Sequence, residues 1–390
     1  MTETASHPWS IFLRFLLLGC VSFGGPAAHI GYFRERFVER EKWLDDAAYG
    51  RLVALSQFLP GPGSSQVGFA LGYRRAGIAG ALAAFLGFTL PSFVLLFVLA
   101  AIDSPGLDHP AVGAVVGGLK LLAVVVVADA VWGMAGSFCR SRLHWGLACG
   151  SAALLLVAPG LGMQLAVLAG SGLVGAATAG TAGGGAVAPI RINGRIAGLF
   201  VVAAIVAALP AGGMIHAIYS AFFRAGALVF GGGHVVLPLL QETVGGAIGT
   251  DRFLTGYAAA QAVPGPMFTL AAFLGADLMP QLPLLGALVA TLALFLPGLL
   301  LVLALYDGWE ALAARPGVAA LVAGINAAVV GLLLAALFSP VFVAAVHGGP
   351  DMAWVVLGLF ALRGLRWHVG VLMPLMVGAA VLRWWWAATA

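Results

Sequence analysis

The sequence predicts an all-α polytopic membrane protein built from two homologous halves as inverted-topology repeats. Three observations carry this expectation: a composition that cannot coat a water-soluble surface, apolar runs of bilayer length, and motifs that recur at a nearly constant offset. Of 390 residues, 62% are hydrophobic and only 9% are charged, against about 25% charged in a typical soluble domain. Mean hydropathy is +1.04. Apolar runs of about 20 residues, the length that spans a bilayer as a helix, recur from end to end. They are continuous rather than alternating, which selects helices over a barrel.

Element by element, the first half reads as a helix over 10–30 interrupted at Phe23-Gly24-Gly25-Pro26, then a stretch of mixed charge from Arg34 to Asp46. That stretch is expected to lie in the interface as an amphipathic helix anchored by Trp43. An apolar segment over 47–73 follows, broken at Leu59-Pro60-Gly61-Pro62-Gly63, and further helices are expected over 76–102, 111–137, 145–158 and 161–177. A Gly/Ala-rich linker and a short apolar run, 196–209, separate the halves. The expected organisation is a first repeat over 1–179, a linker over 180–210 and a second repeat over 211–390. Each repeat holds about five spanning helices plus a Pro-Gly-Pro helix that is broken and re-entrant. No cleavable leader is evident in Met1–Ser10, which carries no Lys or Arg. Trp384-Trp385-Trp386 reads as an aromatic belt.

The duplication is explicit. Phe15-x3-Gly19-x3-Phe23-Gly24-Gly25 recurs as Phe222-x3-Gly226-x3-Phe230-Gly231-Gly232, and Gln57-x2-Pro60-Gly61-Pro62 as Gln261-x2-Pro264-Gly265-Pro266. Leu90-Pro91 recurs as Leu296-Pro297, and Gly118-Leu119-Lys120 as Gly324-Ile325-Asn326. The offsets are 207, 204, 206 and 206. Orientation follows from Lys and Arg. With the Pro-Gly-Pro segment re-entrant, Arg34–Lys42, Arg74-Arg75, Arg140/Arg142 and Arg191/Arg195 fall on one face. Inverting the second half brings Arg315 and Arg363/Arg366 to that same face, and leaves Arg252 and Arg383 as exceptions. This parity requires that 196–209 does not cross the membrane.

The candidate chemistry is that of an anion site. Two prolines around a glycine end a helix, and the residues that follow, Gly63-Ser64-Ser65-Gln66 and Met267-Phe268-Thr269, can start another. A new helix end inside the membrane exposes free N–H groups and about half a positive charge. Ser64, Ser65 and Thr269 add hydroxyl donors, and Gln57 and Gln261 precede each break at the same spacing. The glycine breaks Gly24-Gly25 and Gly231-Gly232 allow close backbone approach, with His29 and His234 nearby. Packing alone is as good a reading for those breaks. Lys120 is a charge within an apolar run and should face protein or water; its repeat counterpart is Asn326. Asp129, Arg14 and Arg224 are weaker candidates, read first as solvated or snorkelling charges. Glu35 and Glu242 are repeat-equivalent carboxylates for which solvation is at least as good a reading as gating. The three cysteines, Cys20, Cys139 and Cys149, suggest neither a disulfide nor a metal site.

At these motifs the chain resembles the chromate ion transporter family. The matching residues are Phe23-Gly24-Gly25-Pro26, Trp43-Leu44 after the charged stretch, and Gln57-x2-Pro60-Gly61-Pro62. In the second half they are Phe230-Gly231-Gly232-Gly233-His234, Val236-Leu237-Pro238 and Ala260-Gln261-x2-Pro264-Gly265-Pro266. The resemblance implies a plasma-membrane efflux protein for chromate, a tetrahedral dianion similar to sulfate. The combined expectation is a secondary transporter working by alternating access. The dianion would sit between the helix ends after Pro62 and Pro266, balanced by Lys120, while the halves rock around it. No nucleotide-binding loop of the form G-x4-G-K-[ST] is present to couple ATP. Expected partners are an inorganic oxyanion (chromate or sulfate) and membrane lipid, with no nucleic acid and no cofactor; a homodimer is compatible with the reading. The rivals are an anion channel of the same architecture, an intramembrane hydrolase using Ser64 or Ser65 with His29 or His234, and a passive scaffold.

Overall fold

The structure is a computed structural model that describes residues 7–23, 25–101, 110–178, 191–210, 212–230, 235–313 and 315–389. Among them there is no strand. The first repeat contains α1 (Pro8–Val21), α2 (Gly25–Phe33) running into a π-helical turn (Arg34–Arg40), α3 (Asp46–Phe58), α4 (Gly63–Ala101), α5 (Pro110–Phe138), α6 (Arg142–Val157) and α7 (Leu161–Ala177). α8 (Gly194–Ala208) stands between the repeats. The second repeat contains α9 (Met214–Leu228), α10 (Val236–Ile248), α11 (Thr250–Ala262), a 3-10 turn (Met267–Thr269), α12 (Leu270–Leu278), α13 (Pro283–Leu305), α14 (Trp309–Ala313), α15 (Pro316–Ala336) with a π-helical extension (Leu337–Phe342), α16 (Gly349–Arg363) and α17 (Val369–Thr389). Among the described residues five helices are long and apolar enough to cross a membrane, including α4, α13 and α15. With such helices in both halves, this is a multi-pass membrane protein.

α4 is folded double. Ala76 and Gly77 leave helical geometry, with Gly77 at φ +58°. The arms close so tightly that a Cβ on Gly72 would lie 2.3 Å from the Gly80 carbonyl oxygen. The second repeat makes the same hairpin from α12 and α13, where a Cβ on Gly275 would lie 2.3 Å from the Gly286 carbonyl. Glycine is required at both crossings because the backbones touch.

The second arm of α4 and its repeat equivalent, α13, lie side by side and antiparallel. The Tyr73 ring, just before the α4 turn, is 5.0 Å from Tyr306 at the end of α13. Phe85 and Phe295 meet midway at 5.1 Å. At the other end the Arg252 guanidinium donates to the Ala100 carbonyl at 3.1 Å and to both Asp277 oxygens at 2.7 and 2.8 Å. Equivalent helices running in opposite directions make the repeats inverted.

The same contacts make the broken segments re-entrant. Arg51, early in α3, lies 3.4 Å from Glu310 beyond the end of α13. The first arm of α4 ends at that same face, beside Tyr306. On the opposite face Arg252, early in α11, pairs with Asp277 at the end of α12. α1 and α2 also fold back on each other. Phe15 packs on Phe33 and Phe37 at 5.5 and 4.9 Å, and His29 reaches back to the Ser22 carbonyl. Among the described residues each repeat thus has four helices running from face to face (the second arm of α4 with α5–α7, and α13 with α15–α17) and two pairs that fold back (α1–α2 and α3 with the first arm of α4, and α9–α10 and α11–α12), the first predicted helix being a hairpin rather than a span.

That hairpin rescues the orientation. α8 starts beside the end of α13, where the Asn193 N–H donates to the Ala304 carbonyl at 2.9 Å. It pairs antiparallel with α9 through His216 to Val206 and Tyr219 to Ala203. Its 15 residues, about 22 Å long, carry the chain to the other face. The crossing that would have upset the parity is offset by the folding back of the first helix. Arg74, Arg75, Arg140, Arg142, Arg191, Arg195, Arg315, Arg363 and Arg366 all end on one face.

The repeats are also intertwined. α5 of the first packs on α16 and α17 of the second; a Cβ on Gly118 would lie 2.7 Å from Val377 Cα. Reciprocally, α15 packs on α6 and α7; a Cβ on Gly331 would lie 2.3 Å from the Ala148 carbonyl, and one on Gly324 2.1 Å from that of Ser171. One bundle therefore comprises α5–α7 and α15–α17. The other comprises the hairpins, α8 and α13. The sequence halves are not two separate bodies.

The charged stretch after α2 differs from its expectation. Trp43 is buried, 4.3 Å from Phe37 and beneath the Arg14 and Arg75 guanidinium groups. Its charges pair internally, Arg14 and Arg36 both with Glu41 at 2.7 and 2.6 Å. The mixed signs serve a closed ion-pair cluster at the mouth of the hairpins, not an interfacial anchor.

Candidate functional site

The hairpin tips meet in the middle of the bundle, two from each face. The Gly61 N–H donates to the Val229 carbonyl at 2.7 Å, and the Gly265 N–H donates to the Ser22 carbonyl at 2.9 Å. These bonds are counterparts under the internal symmetry: the glycine of each Pro-Gly-Pro is tied to the last turn before the Phe-Gly-Gly break of the other repeat. Both glycines have positive φ, +122° and +92°. A Cβ on Gly61 would lie 2.8 Å from Gly298 Cα, and one on Gly265 2.9 Å from Ser92 Oγ. Ser92 and Gly298 are themselves repeat-equivalent and follow the recurring Leu-Pro pairs.

Two helical segments start at the Pro-Gly-Pro tips, the first arm of α4 after Pro62 and the 3-10 turn leading into α12 after Pro266. By helix geometry the N–H groups of residues 63–65 and of Met267 and Phe268 lack intrahelical acceptors, whereas the Thr269 N–H donates to the Pro266 carbonyl at 3.0 Å. The positive ends of their dipoles point to the midplane. Ser64, Ser65 and Thr269 are buried. Thr269 Oγ1 donates to the Pro266 carbonyl at 2.6 Å. Ser65 Oγ, Ser22 Oγ and Gln66 Oε1 are buried without a hydrogen-bond partner. Orphaned polar groups of this kind are costly and mark a place built for something else.

Two further side chains hold the tips. Gln66 Nε2 donates to the Pro60 carbonyl at 2.8 Å and to the Gly298 carbonyl at 3.3 Å. His29 lies fully buried, with Nε2 3.1 Å from the Ser22 carbonyl and Nδ1 3.1 Å from Ser64 Oγ. A carbonyl only accepts, so Nε2 carries the proton, and the neutral ring accepts from the Ser64 hydroxyl at Nδ1. This Ser–His contact is not a hydrolase pair. The second ring nitrogen faces a carbonyl that already accepts from Gly265, with no carboxylate to orient it. It ties the start of α4 to the α1 tip.

Not all predicted residues come together. Pro60, Gly61, Pro62, Ser64, Ser65, Pro264, Gly265, Pro266 and Thr269 form the midplane cluster, and Gly25 (φ +75°) forms the α1–α2 turn. Gln261 is buried against Met267 Sδ, whereas Gln57 is exposed on α3. Gly24, Gly231, Gly232 and His234 lie outside the described residues. Asn326 is buried on α15 with Oδ1 unpartnered. Lys120 is not at the tips. Its Nζ is 2.6 Å from Asp251 Oδ1 at the start of α11, about 18 Å along that helix from Pro264. There it lines a cavity of about 530 Å3 with Asp351 and Arg383, which are paired at 2.6 Å. Asp129 pairs with Arg363 at 2.7 Å on the arginine-rich face. Sequence reasoning placed Gln66 only in the start of the helix after Pro62 and gave no role to Ser92 or Gly298. The recurring Leu-Pro pair was the available signal for the last two; Gln66 has Leu270 as its counterpart and offered none.

Comparison with known proteins adds the family. The model of the chromate transporter family matches twice, over residues 9–176 and 216–384. A chromate transport protein of Pseudomonas aeruginosa is 30% identical over 301 residues, covering 70% of this chain and 68% of that protein. A probable chromate transport protein of Synechococcus elongatus is 30% identical over 302 residues, 72% of this chain and 71% of its own. An uncharacterised transporter of Methanocaldococcus jannaschii is 38% identical over 120 residues, 31% of this chain and 30% of its own. No solved structure matches. The two matched stretches coincide with the two inverted repeats, and the chain belongs to the chromate transporter family, a family of transporters and not of enzymes.

Proposed function

We propose that the chain is a secondary transporter that exports a tetrahedral oxyanion, chromate in the first instance, across the plasma membrane by alternating access. The observation that carries this reading is the pair of Pro-Gly-Pro hairpins, one from each face, whose tips are hydrogen-bonded across the repeats beside buried, unpartnered hydroxyls. Helix starts supply N–H donors to an anion without placing a full charge in the membrane. Ser22 and Ser65 supply hydroxyls. A dianion arriving there would compete with the Ser22 and Val229 carbonyls for the two glycine N–H groups.

The moving bodies are the hairpin bundle and the α5–α7/α15–α17 bundle, since each mixes both repeats. Lys120–Asp251 spans them. Its role is to close one bundle on the other rather than to balance the substrate's charge. The arginine-rich face is cytoplasmic. For a dianion leaving the cell, the membrane potential contributes about 4.6 kcal/mol per 100 mV, twice the single-charge value of about 2.3. Export therefore needs no ATP.

The test is uptake of radiolabelled chromate and sulfate into everted vesicles, energised inside-positive. Saturable chromate uptake to a concentration above that outside, lost when the potential is collapsed and then restored with it, is the expected result. Uptake that only equalises the potential-weighted concentrations without saturation would favour a channel. No chromate uptake, with another oxyanion carried, would remove the substrate and keep the mechanism.

A further inference from the structure

A cavity of about 260 Å3 lies where α10 of the hairpin bundle meets α6, α7 and α15 of the other. Its polar lining consists of Gln164, Gln241, Glu242 and Ser339, with the Pro159-Gly160 turn at the arginine-poor face. Glu242 is the only charged residue in that lining, and among the described residues it makes no ion pair. Its repeat counterpart Glu35, by contrast, is neutralised by Arg40. Gln164 is 7% exposed. Its Nε2 donates to the Pro238 carbonyl at 3.3 Å, and because a carbonyl cannot donate, the amide orientation is settled and Oε1 is left as an acceptor. That Oε1 is buried without a partner, and so is Oε1 of Gln241.

The cavity thus gathers a carboxylate without a counter-charge and two orphaned amide oxygens, with no Lys, Arg or His among the described residues of its walls. An oxygen-only set of this kind selects a hard cation over zinc or copper, which favour nitrogen and sulfur. A single carboxylate balances one positive charge. Glu242 itself is exposed at the mouth of the cavity and Gln164 is buried behind it, so an ion there meets one carboxylate and neutral oxygens, a set matched to a single positive charge rather than two. We propose that this cavity is a binding site for a hard monovalent cation of the sodium class, entering from the arginine-poor face. Glu242 and Gln241 come from α10, and Gln164 and Ser339 come from α7 and the α15 extension. An ion held between them clamps the two bundles in this arrangement, so its binding is coupled to the motion that carries the anion. The coupling, though not the binding, rests on the transporter reading above. The membrane potential favours both inward movement of the cation and outward movement of the anion.

The experiment uses full-length protein, purified for binding of radiolabelled sodium and reconstituted in proteoliposomes for chromate flux with sodium or choline as the cation. Wild type binds sodium saturably. Glu242→Gln and, separately, Gln164→Leu weaken binding by about tenfold or more, while Glu35→Gln leaves it unchanged; monodispersity on gel filtration qualifies each variant. Replacing sodium by choline lowers chromate flux in wild type but not in Glu242→Gln. The proposal is overturned by absence of saturable sodium binding in wild type, by wild-type binding in a monodisperse Glu242→Gln, or by chromate flux indifferent to sodium. Sodium binding that follows Glu242, with no chromate flux under any condition, upholds the site and contradicts the transport reading instead.

Discussion

Gly61→Ala and Gly265→Ala are each expected to cut chromate uptake to below about a tenth of wild type, because both positions combine backbone strain with a backbone clash. A non-glycine residue held at the φ values of +122° and +92° costs about 1–3 kcal/mol. A Cβ at Gly61 would also press to 2.8 Å from Gly298 Cα, which has no side chain to move aside. The tip must withdraw, and its bond to the Val229 carbonyl stretches or breaks. At Gly265 the obstacle is Ser92 Oγ at 2.9 Å, with the Gly19 and Phe88 carbonyls at 3.3 Å. The rotatable hydroxyl makes that variant the milder of the two. Gly146→Ala is the control: it lies in the body of α6 with nothing within 4 Å of the added carbon. It should transport normally and be slightly more stable, since alanine is the better helix former. Uptake in vesicles, normalised to protein inserted, reads all three. Wild-type uptake by Gly61→Ala would mean that the tips need not meet.

The second large effect concerns which bodies move. A short bifunctional thiol reagent across Lys120→Cys/Asp251→Cys should abolish chromate flux, since it joins the hairpin bundle to its partner. The same reagent across Asp129→Cys/Arg363→Cys should leave flux close to that of the untreated pair. Both links join the first repeat to the second, and both replace an ion pair, at 2.6 and 2.7 Å. They differ in that the second lies wholly within the α5–α7/α15–α17 bundle. Were the sequence halves the rocking bodies, both links would stop transport. Each double variant before treatment is its own reference, and mass spectrometry measures the extent of linking.

Much of this fold was legible in the residues. The duplication and the re-entrant Pro-Gly-Pro segment follow from motif spacing, whereas the basic clusters reach the expected face because the crossing by α8 is offset by the folding back of the first helix. Two features were not legible. One is the hairpin at Phe23-Gly24-Gly25, where a run of 21 residues over 10–30 has the length of a span and conceals a chain that turns back. Hydropathy measures length, not direction. The other is the exchange of α5 and α15 between bundles, since a small-residue stripe at Gly118 or Gly324 says that a neighbour comes close but not which neighbour. At the site, the glycine and proline positions were readable because their backbone demands are local. Lys120 was misleading for the opposite reason: a buried charge declares that it needs a partner, and only the fold reveals that the partner is Asp251, a helix length from the tips. Ser92 and Gly298 became meaningful once the tips had something to pack against.

The central claim is that the meeting point of the hairpin tips is where the oxyanion binds. Its most direct test is equilibrium binding of radiolabelled chromate to the purified protein, comparing wild type with Ser65→Ala. Ser65 Oγ is buried and without a partner, so its removal costs the fold no hydrogen bond while taking a donor from the site. Loss of one hydrogen bond to a charged ligand, about 1.5–3 kcal/mol, predicts that affinity falls by about tenfold or more with thermal stability unchanged. Undiminished chromate affinity in a folded Ser65→Ala protein would contradict the account.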